Sequence, residues 1–245
     1  MSERVGVVIQ ARISSGRLPG KALADVAGKP LLRRLYDRMK TCRRADAVVV
    51  ATSDRPADDE VARACADWGA PVYRGPEQDL TTRLLGAARS IDVSAIVRVT
   101  GDNPLTDPGG VDELIETFRR TGDPVVHNHH RLGYPYGTGT ELMAVAAIEA
   151  CDGELVGPAE RELFATHVRQ HPERFPCTKV AAPPELYRPE LFLTVDYAED
   201  LALVNRVFAH FGGRDDVPLR DIVAWLDRQP DIAAINRHLH TPFPD

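Results

Sequence analysis

The segment VGVVIQARISSGRLPGK, Val5–Lys21, decides the fold, because an apolar run passes directly into a basic loop that contains glycine. Val5–Ile9 is continuously apolar, which is typical of a strand that is covered on both faces. The loop that follows carries three cations, Arg12, Arg17 and Lys21. Cations neutralise phosphates, and glycines let backbone N–H groups approach them closely. The segment therefore favours a polyphosphate site, with a solvated basic surface loop as the alternative.

Length and composition fit one large α/β domain, or such a domain with a small extension. The 245 residues are 43% hydrophobic and 27% charged, which is ordinary for a globular protein. The net charge of −6 excludes a global basic field for nucleic acid or a membrane, so a polyphosphate site must be local. No apolar run approaches the ~20 residues of a membrane span. Cysteines without a CxxC pair predict reduced thiols in a cytoplasmic protein: Cys42, Cys65, Cys151 and Cys177.

The first half of the chain alternates apolar, β-branched runs with helical patterns. Alternation of this kind predicts βαβ crossovers and a mainly parallel sheet covered by helices. The predicted strands are 5–9, 47–52, 71–73 and 96–100, and the predicted helices are 30–41, 57–68, 80–90 and 111–120.

The pattern loosens after Val125. Residues 127–140 are rich in Gly, His and Tyr and are predicted to form a loop. We expect a single domain over residues 1–245, with an inserted lobe or dimerisation arm at about 133–191. The elements predicted in this half are strands at 141–144 and 193–195 and helices at 157–171, 199–211 and 219–229.

Two common phosphate-binding loops are excluded by their spacing. A Walker A loop needs four residues between its glycines and a Ser or Thr after its lysine. Here three residues separate Gly16 from Gly20, and Ala22 follows Lys21. No GxGxxG follows the first strand, which excludes the dinucleotide-binding fingerprint. The basic loop therefore belongs to another class of nucleotide site.

The pattern IQARxxSxRLPGKxLxxxxGKPLL, Ile9–Leu32, closely resembles the signature of the cytidylyltransferases. The closest resemblance is to the spore coat polysaccharide biosynthesis protein F group, which is related to the CMP-sialic acid and CMP-Kdo synthetases. The resemblance implies a nucleotide-diphospho-sugar transferase-like α/β fold: a three-layer sandwich with a mainly parallel central sheet and a small inserted lobe. It covers nearly the whole chain through further motifs, in order VVVATSD (Val48–Asp54), VYRGPEQDLTTRLLGAA (Val72–Ala88), IVRVTGDNPLTDP (Ile96–Pro108), ERE (Glu160–Glu162) and LTVDYAEDLALV (Leu193–Val204).

By this resemblance, Arg12 and Lys21 hold the β- and γ-phosphates of CTP and act in catalysis, and Arg17 assists them. In nucleotidyl transfer a hydroxyl attacks the α-phosphorus in line while pyrophosphate leaves, so positioning and charge stabilisation dominate. The resemblance adds Asp102, as a catalytic residue, and Asp196 as ligands of Mg²⁺, which prefers oxygen ligands and few protein contacts. Both are predicted at strand ends, where open α/β sheets bind ligands. A turn or a helix cap is the alternative for each aspartate.

The resemblance also implies contacts to the base, the ribose and the phosphates of CTP. Asp79 and Arg83 lie one helical turn apart and can face the same way, with a surface ion pair as the alternative. The predicted nucleotide-binding residues outside the basic loop are Gln10, Ala11, Thr52, Ser53, Asp79, Arg83, Thr100 and Gly101.

The stretch His127–Glu141 is the predicted acceptor-binding segment. Its histidine cluster, HNHH, also suggests a zinc hydrolase, but no acidic cluster adjoins it. A PDGLDVE-type stretch is expected from the resemblance, whereas residues 135–141 read PYGTGTE, so an unusual acceptor is expected. His127, His129 and Arg131 would add positive charge there. The predicted substrate-binding residues are His127, Asn128, Tyr134, Glu141 and Arg161, with a structural ion pair as the alternative for Arg161.

These observations predict a cytoplasmic, Mg²⁺-dependent cytidylyltransferase that transfers CMP from CTP to a sugar acid or a related acceptor and releases pyrophosphate. The predicted protein is a homodimer that binds neither nucleic acid nor membranes. The alternatives are the same chemistry on another NTP, a non-sugar acceptor such as a phosphonate, and a catalytically silent sugar-nucleotide-binding protein. The two aspartates expected to bind a metal argue against a catalytically silent protein, since a protein that only binds a sugar nucleotide does not need a pair of metal-binding carboxylates.

Overall fold

The apolar run at the start of the chain forms the strand β1 (Val5–Gln10), which is paired on both of its edges. The computed structural model of the chain describes residues 3–14, 16–155 and 157–240, so Ser15 of the basic loop lies outside the described residues. The other described strands are β2 (Asp25–Val26), β3 (Lys29–Pro30), β4 (Ala47–Ser53), β5 (Val72–Gly75), β6 (Ala95–Thr100), β7 (Val125–His127), β8 (Glu141–Ala144) and β9 (Cys177–Lys179).

In the described residues, seven strands form one sheet in the order β5-β4-β1-β6-β8-β7-β9, while β2 and β3 form a small antiparallel ribbon. β5, β4, β1 and β6 are parallel to their neighbours in this series. β8 is antiparallel to both β6 and β7, and β7 is parallel to β9. The predicted mainly parallel sheet is confirmed, and its antiparallel part follows β6.

Residues Val5–Ile9 of β1 are apolar because helices cover both faces of the sheet. Successive side chains of a strand point to opposite faces. Val5 and Val7 therefore lie in one buried cluster with Leu35, whereas Val8 lies in a second cluster with Leu84. Fully burying one such side chain stabilises the fold by ~1.5–3 kcal/mol.

The helices cover the sheet in the way that the alternation predicts. α1, α2 and α4 supply one buried cluster, and α3, α5 and α7 supply the cluster on the opposite face. The predicted three-layer sandwich is therefore confirmed. The described helices are α1 (Leu31–Met39), α2 (Asp59–Asp67), α3 (Leu80–Ser90), α4 (Pro108–Thr121), α5 (Val145–Asp152), α6 (Pro158–Glu162), α7 (Phe164–Gln170), α8 (Ala198–His210), α9 (Leu219–Leu226) and α10 (Pro230–Ala233).

The single helix predicted over 157–171 is wrong, because α6 ends at Glu162 and α7 begins at Phe164. The chain turns at Leu163, which stays 63% exposed, and this turn buries Phe164 completely against the sheet. α5, α10, β7 and β9 are also absent from the sequence prediction. α10, β7 and β9 are each four residues long or less, so they carry too little periodicity to be recognised in a sequence. α5 is longer, with eight residues.

The strand predicted at 193–195 is also absent from the sheet. Its backbone groups pair with two loops instead: Leu193 N–H donates to the Tyr136 carbonyl over 2.7 Å, and Val195 N–H donates to the Asp102 carbonyl over 2.8 Å. Leu193 and Val195 are fully buried in a third apolar cluster with α8 and α9. The segment therefore runs across the end of the sheet and delivers the residue after Val195 to the end of β6.

The range 133–191, predicted as an inserted lobe or dimerisation arm, contains β8 and β9 of the central sheet together with α5, α6 and α7. The dimerisation role of this range stays a prediction. Among the described helices, none combines the length and the apolar character that crossing a bilayer requires.

Candidate active site

An open cleft of about 410 Å³ lies at the carboxyl ends of β1 and β6. Side chains and backbone from the basic loop form one wall, and the residues that follow β6 form the other. A larger cleft of about 510 Å³ lies away from these residues, between the start of α4 and the start of α9. The residues lining the first cleft are Gln10, Ala11, Arg12, Ser14, Gly16, Arg17, Lys21, Ala22, Thr100, Gly101, Asp102 and Asp196.

Lys21 occupies the centre of this cleft. Its Nζ donates to Asp102 Oδ2 over 3.0 Å, to Asp196 Oδ1 over 2.8 Å and to the Val195 carbonyl over 2.8 Å. Burial lowers the pKa of Lys21, but the two carboxylates outweigh that effect and the pKa is raised overall. One ammonium group therefore bridges the two aspartates that the sequence places far apart.

The two aspartates meet because Val195, the residue before Asp196, is hydrogen-bonded to the backbone of Asp102, not because both aspartates end strands of the sheet. The hydrogen bond from Val195 N–H to the Asp102 carbonyl brings Asp196 next to the end of β6. Burial raises the pKa of Asp196, yet Lys21 and Arg17 outweigh burial and hold that pKa below its usual range. Asp196 is therefore a carboxylate at neutral pH.

The other two cations of the basic loop also have carboxylate partners. Arg17 Nη2 lies 2.8 Å from Asp196 Oδ2, and its guanidinium lies 5.6 Å from the ring centre of Tyr197. Arg12 Nη2 donates to Glu162 Oε1 over 3.0 Å. An anionic ligand that binds these cations must therefore compete with the protein's own carboxylates.

The aspartate pair fits a divalent cation. The two carboxylates already flank one positive charge, and both are oxygen donors of the type that Mg²⁺ prefers. Mg²⁺ completes its coordination with waters and substrate phosphates, so two protein ligands suffice. Within the described residues no group of three or more His, Cys, Asp and Glu side chains could hold a metal ion. Asp102 and Asp196 would hold the ion that the resemblance implies.

At the floor of the cleft, the backbone at the end of β6 lies close to the backbone at the end of β1. Gly101 N–H donates to the Gln10 carbonyl over 2.8 Å, and a Cβ at Gly101 would lie 2.8 Å from the Cβ of Ala11. Since real Cβ atoms do not approach so closely, only glycine fits there. Thr100 Oγ1 accepts from Asn103 Nδ2 over 2.6 Å, which fixes the turn after β6. These four predicted nucleotide-binding positions, from Gln10 to Gly101, lie together in the cleft.

Thr52 and Ser53, the predicted contacts at the end of β4, are completely buried. Ser53 Oγ donates to Asp58 Oδ2. Within the described residues, Thr52 Oγ1 has no hydrogen-bond partner. Neither residue is among those that line the cleft. Their predicted role in nucleotide binding remains a prediction.

Asp79 and Arg83 make separate contacts and do not form the ion pair offered as their alternative. Asp79 caps α3 by accepting from Thr82 N–H over 2.9 Å, and it pairs with Arg161 Nη1 at 3.0 Å. Arg161 also contacts Asp152. Arg83, which is 2% exposed, donates to the Glu77 carbonyl over 3.0 Å. The Arg12 guanidinium donates to the same carbonyl over 3.2 Å, which links this region to the basic loop.

Three of the predicted acceptor residues, Asn128, Tyr134 and Glu141, are almost completely buried. Asn128 Oδ1 accepts from Thr140 N–H over 2.6 Å. The side chains of Asn128 and Tyr134 are hydrogen-bonded, and burial raises the pKa of Tyr134 to about 12. Glu141 is 2% exposed and accepts from Arg169 Nη1 over 3.2 Å.

The histidine cluster carries no positive charge at neutral pH, which corrects the charge expected from the sequence. The rings of His127 and His129 stack with their centres 4.3 Å apart. Burial, with Arg169 nearby, lowers the pKa of His127 to about 4. Burial, with His127 and Arg169 nearby, lowers the pKa of His129 to about 2. The positive charge of this region comes from arginine instead.

The sequence analysis does not identify Arg98 and Arg169, which flank the buried Glu141. Arg98 Nη1 lies 3.7 Å from Glu141 Oε2, an atom without a hydrogen-bond partner among the described residues. Arg98 Nε donates to Gln10 Oε1 over 2.9 Å, so the cluster adjoins the cleft. The signal was present in IVRVT, where a charged residue interrupts an otherwise apolar strand. Arg169 gives no such signal, since an arginine near a helix end is common.

The sequence PYGTGTE is explained by close backbone contacts. Gly137 has φ +91°, and a Cβ there would lie 2.5 Å from the backbone nitrogen of Thr194. A Cβ at Gly139 would lie 2.2 Å from the Asn128 carbonyl oxygen. The fold of this segment therefore requires glycine at both positions, whatever acceptor is bound.

Lowering the pH should destabilise the protein through His127. The folded pKa of His127 is about 4, whereas an unfolded imidazole has a pKa of about 6.5. Between these values the unfolded chain binds a proton that the folded chain does not. The free energy of unfolding therefore falls with falling pH, by up to about 1.4 kcal/mol per pH unit for one such group.

Urea unfolding of the wild type and of His127→Gln at several values between about pH 4 and pH 7.5 checks this expectation. The free energy of unfolding of the variant should depend less steeply on pH than that of the wild type. Equal slopes would show that His127 does not control the acid stability.

Comparison with known proteins shows what the chain is similar to. The cytidylyltransferase family model matches residues 6–149. The chain is 30% identical over 236 residues to the spore coat polysaccharide biosynthesis protein SpsF of Bacillus subtilis. This alignment covers 92% of this chain and 95% of that protein. It is 40% identical over 117 residues, 47% of each chain, to a 3-deoxy-manno-octulosonate cytidylyltransferase of Anaeromyxobacter sp.. A solved cytidylyltransferase structure from Leptospira borgpetersenii superposes with a TM-score of 0.88 at 27% identity, covering 94% of this chain and 97% of that one.

Proposed function

The chain belongs to the cytidylyltransferase family, and from that premise we propose that it transfers CMP from CTP to a hydroxyl of a sugar acid or a related acceptor, with Mg²⁺ as cofactor and pyrophosphate as the second product. The bridge from Lys21 to Asp102 and Asp196 is the observation that carries this proposal. The bridge supports the proposal because Lys21 could hold a phosphate and the two carboxylates beside it could hold a metal ion.

The cleft supplies the charges that the proposed transfer needs. The acceptor hydroxyl releases its proton to solvent, and its oxygen forms a new bond to the α-phosphorus. The bond from that phosphorus to the bridging oxygen breaks, and the electron pair leaves with pyrophosphate. Lys21, Arg17 and Arg12 would hold the departing phosphates and stabilise the negative charge that develops on them. Asp102 and Asp196 would hold Mg²⁺, and the ion would supply positive charge that offsets the negative charge of the phosphates.

The carboxylate partners of these cations imply an exchange when substrate binds. Lys21 now neutralises both aspartates, so it is available to phosphate only when another cation takes its place. The same holds for Arg17 beside Asp196. We therefore expect Mg²⁺ and the triphosphate of CTP to bind cooperatively in this cleft.

An anionic acceptor would bind beside Gln10, at the cluster of Arg98, Glu141 and Arg169. Arg98 and Arg169 both pair with the carboxylate of Glu141, so two positive charges face one negative charge. The two arginines could therefore bind the carboxylate of an acceptor as well. Arginine suits this task because its fork matches the geometry of a carboxylate. The name of the Anaeromyxobacter relative, which refers to a sugar acid, agrees with an acceptor of this class.

Arg169→Ala should raise the acceptor KM about tenfold or more and leave the CTP KM within about twofold, because a charge-assisted hydrogen bond contributes ~1.5–3 kcal/mol. Arg89→Ala is the matched control, since Arg89 forms an ion pair of 2.9 Å with Glu149, is 67% exposed and is not among the residues that line the cleft. Steady-state kinetics with each substrate varied in turn measures both constants. If the two variants gave the same acceptor KM, the acceptor would bind elsewhere.

A screen of pyrophosphate release tests the proposed function directly. The protein is incubated with Mg²⁺, each of the four NTPs and a panel of sugar acids, neutral sugars, polyols and phosphonates. CTP with at least one sugar acid should give the fastest release, and omission of the acceptor should abolish it. Release with all four NTPs alike would overturn the nucleotide assignment, and release only with a phosphonate would overturn the acceptor class.

We also propose that the protein is a homodimer and acts in the cytoplasm. The four cysteines are free thiols, as expected in a reducing compartment. Sedimentation equilibrium at several protein concentrations measures the oligomeric state, and a monomer at all of them would contradict the dimer.

A further inference from the structure

Asp200 is a completely buried carboxylate next to the aspartate pair of the cleft. It lies in the first turn of α8, and one of its oxygens, Oδ2, accepts two backbone hydrogen bonds. The donors are Asp196 N–H at 2.8 Å and Tyr197 N–H at 2.9 Å. This oxygen completes the capping of α8, because Asp200 and Tyr197 form a capping box.

The second oxygen of Asp200 is held by a different part of the chain. Asn236 Nδ2 donates to Oδ1 over 2.6 Å, and His240 Nε2 lies 2.7 Å from the same atom. These partners follow Asp200 by 36 and 40 residues. A helix cap needs neither of them, so their convergence on this oxygen requires another explanation.

His240 and Asn236 are themselves fixed by the segment that leads to Asp196. The ring of His240 stacks on Phe192 with a centre-to-centre distance of 4.5 Å and an angle of 9°. Asn236 Nδ2 also donates to the Phe192 carbonyl over 2.9 Å. Because the carboxylate of Asp200 only accepts, the proton of the imidazole lies on Nε2.

A short series of contacts therefore joins the end of the described chain to the cleft. His240 and Asn236 orient the carboxylate of Asp200, and Asp200 holds the backbone N–H of Asp196. The side chain of Asp196 then faces Lys21 and Arg17. Asp200 therefore contacts both His240 and Asp196, the residue proposed to bind Mg²⁺.

We infer that His240 is a positioning residue for Asp196: through Asp200 it sets the geometry of the metal site, with Asn236 in the same role. The inference rests on the proposed role of Asp196. Groups that orient metal ligands typically change metal affinity or activity 10–100-fold when they are removed. His240→Ala should therefore weaken divalent-metal binding about tenfold or more.

The test measures Mn²⁺ binding to the protein of 245 residues by the loss of the free-ion electron paramagnetic resonance signal, together with the Mn²⁺ concentration that half-saturates turnover. The variants are His240→Ala, His240→Gln and Asp196→Asn. His238→Ala is the matched control, because His238 is exposed and lies on the same segment. Glutamine can place an amide N–H where the imidazole Nε2–H lies, so His240→Gln should recover most of the affinity that His240→Ala loses.

The inference is supported if both Mn²⁺ constants rise about tenfold in His240→Ala, return towards wild type in His240→Gln and do not change in His238→Ala. It is overturned if His240→Ala binds Mn²⁺ like the wild type while Asp196→Asn does not. It is also overturned if His240→Gln is as defective as His240→Ala. Unchanged Mn²⁺ binding in Asp196→Asn would overturn the proposed metal site, and this inference with it.

Discussion

Replacing Lys21 by alanine should lower kcat/KM for CTP by about 10³-fold, the largest effect expected of any single cation in the basic loop. The side chain is 13% exposed and bridges Asp102 and Asp196. Its loss removes a charge-assisted contact to the leaving phosphates, and it also leaves the two carboxylates without their shared counter-charge in the substrate-free state. Both effects oppose the binding of a polyanion.

Steady-state kinetics and calorimetric titration with CTP measure this loss, and circular dichroism checks that the variant is folded. Lys40→Ala is the control, since Lys40 is exposed, its ammonium group lies 5.6 Å from the centre of the Tyr36 ring, and it is not among the residues that line the cleft. Lys21→Arg should recover little activity, because the planar guanidinium differs in size and hydrogen-bond geometry from the ammonium group. A loss of less than about tenfold in Lys21→Ala would remove Lys21 from the proposed catalytic group.

Replacing Asp196 by asparagine should reduce turnover by more than about 10³-fold, with Asp102→Asn close behind, because each change removes a carboxylate from the proposed Mg²⁺ site. Asp196 should be the more sensitive of the two. It is 11% exposed and contacts both Lys21 and Arg17, whereas Asp102 is 29% exposed and contacts Lys21 alone among these cations. The backbone hydrogen bond that joins the two segments does not depend on either side chain, so both variants should fold.

Thermal unfolding with and without Mg²⁺ and CTP measures this site independently of turnover. The wild type should gain stability from Mg²⁺ and CTP together, and neither aspartate variant should. Asp227→Asn is the control, because Asp227 forms a surface ion pair with Arg188 at 2.6 Å. Turnover in either aspartate variant at more than a tenth of the wild-type rate would contradict the shared metal site.

Much of the fold is predictable because its signals are local. β1 is recognisable from its apolar run, and α3 from a helical pattern with Asp79 at its N-terminus. Each signal depends on residues that are neighbours along the chain. The same is true of the motif IQARxxSxRLPGK, Ile9–Lys21, on which the family resemblance is based. Cytidylyltransferase membership and the three-layer sandwich were both expected from these signals, and both are confirmed.

Prediction failed where distant segments determine the conformation. Residues 193–195 have the β-branched composition of a strand, yet they pair with the backbones of Tyr136 and Asp102 and not with the sheet. The helix predicted over 157–171 is interrupted at Leu163, since the burial of Phe164 outweighs helical continuity. Propensity cannot show such choices, because the partner surface is formed by other parts of the chain.

The amino-acid sequence by itself determined the central strands and the basic loop, since each follows from short-range pattern, and the family resemblance supplied the residues proposed to bind phosphate and metal. Only the tertiary structure decided which of these residues meet. It placed Lys21 between Asp102 and Asp196, and it tied the latter to His240 through a buried carboxylate. It also made His127 neutral by removing it from water. The physical reason is that hydrogen bonds and desolvation depend on distances in space, which the spacing along a chain does not specify.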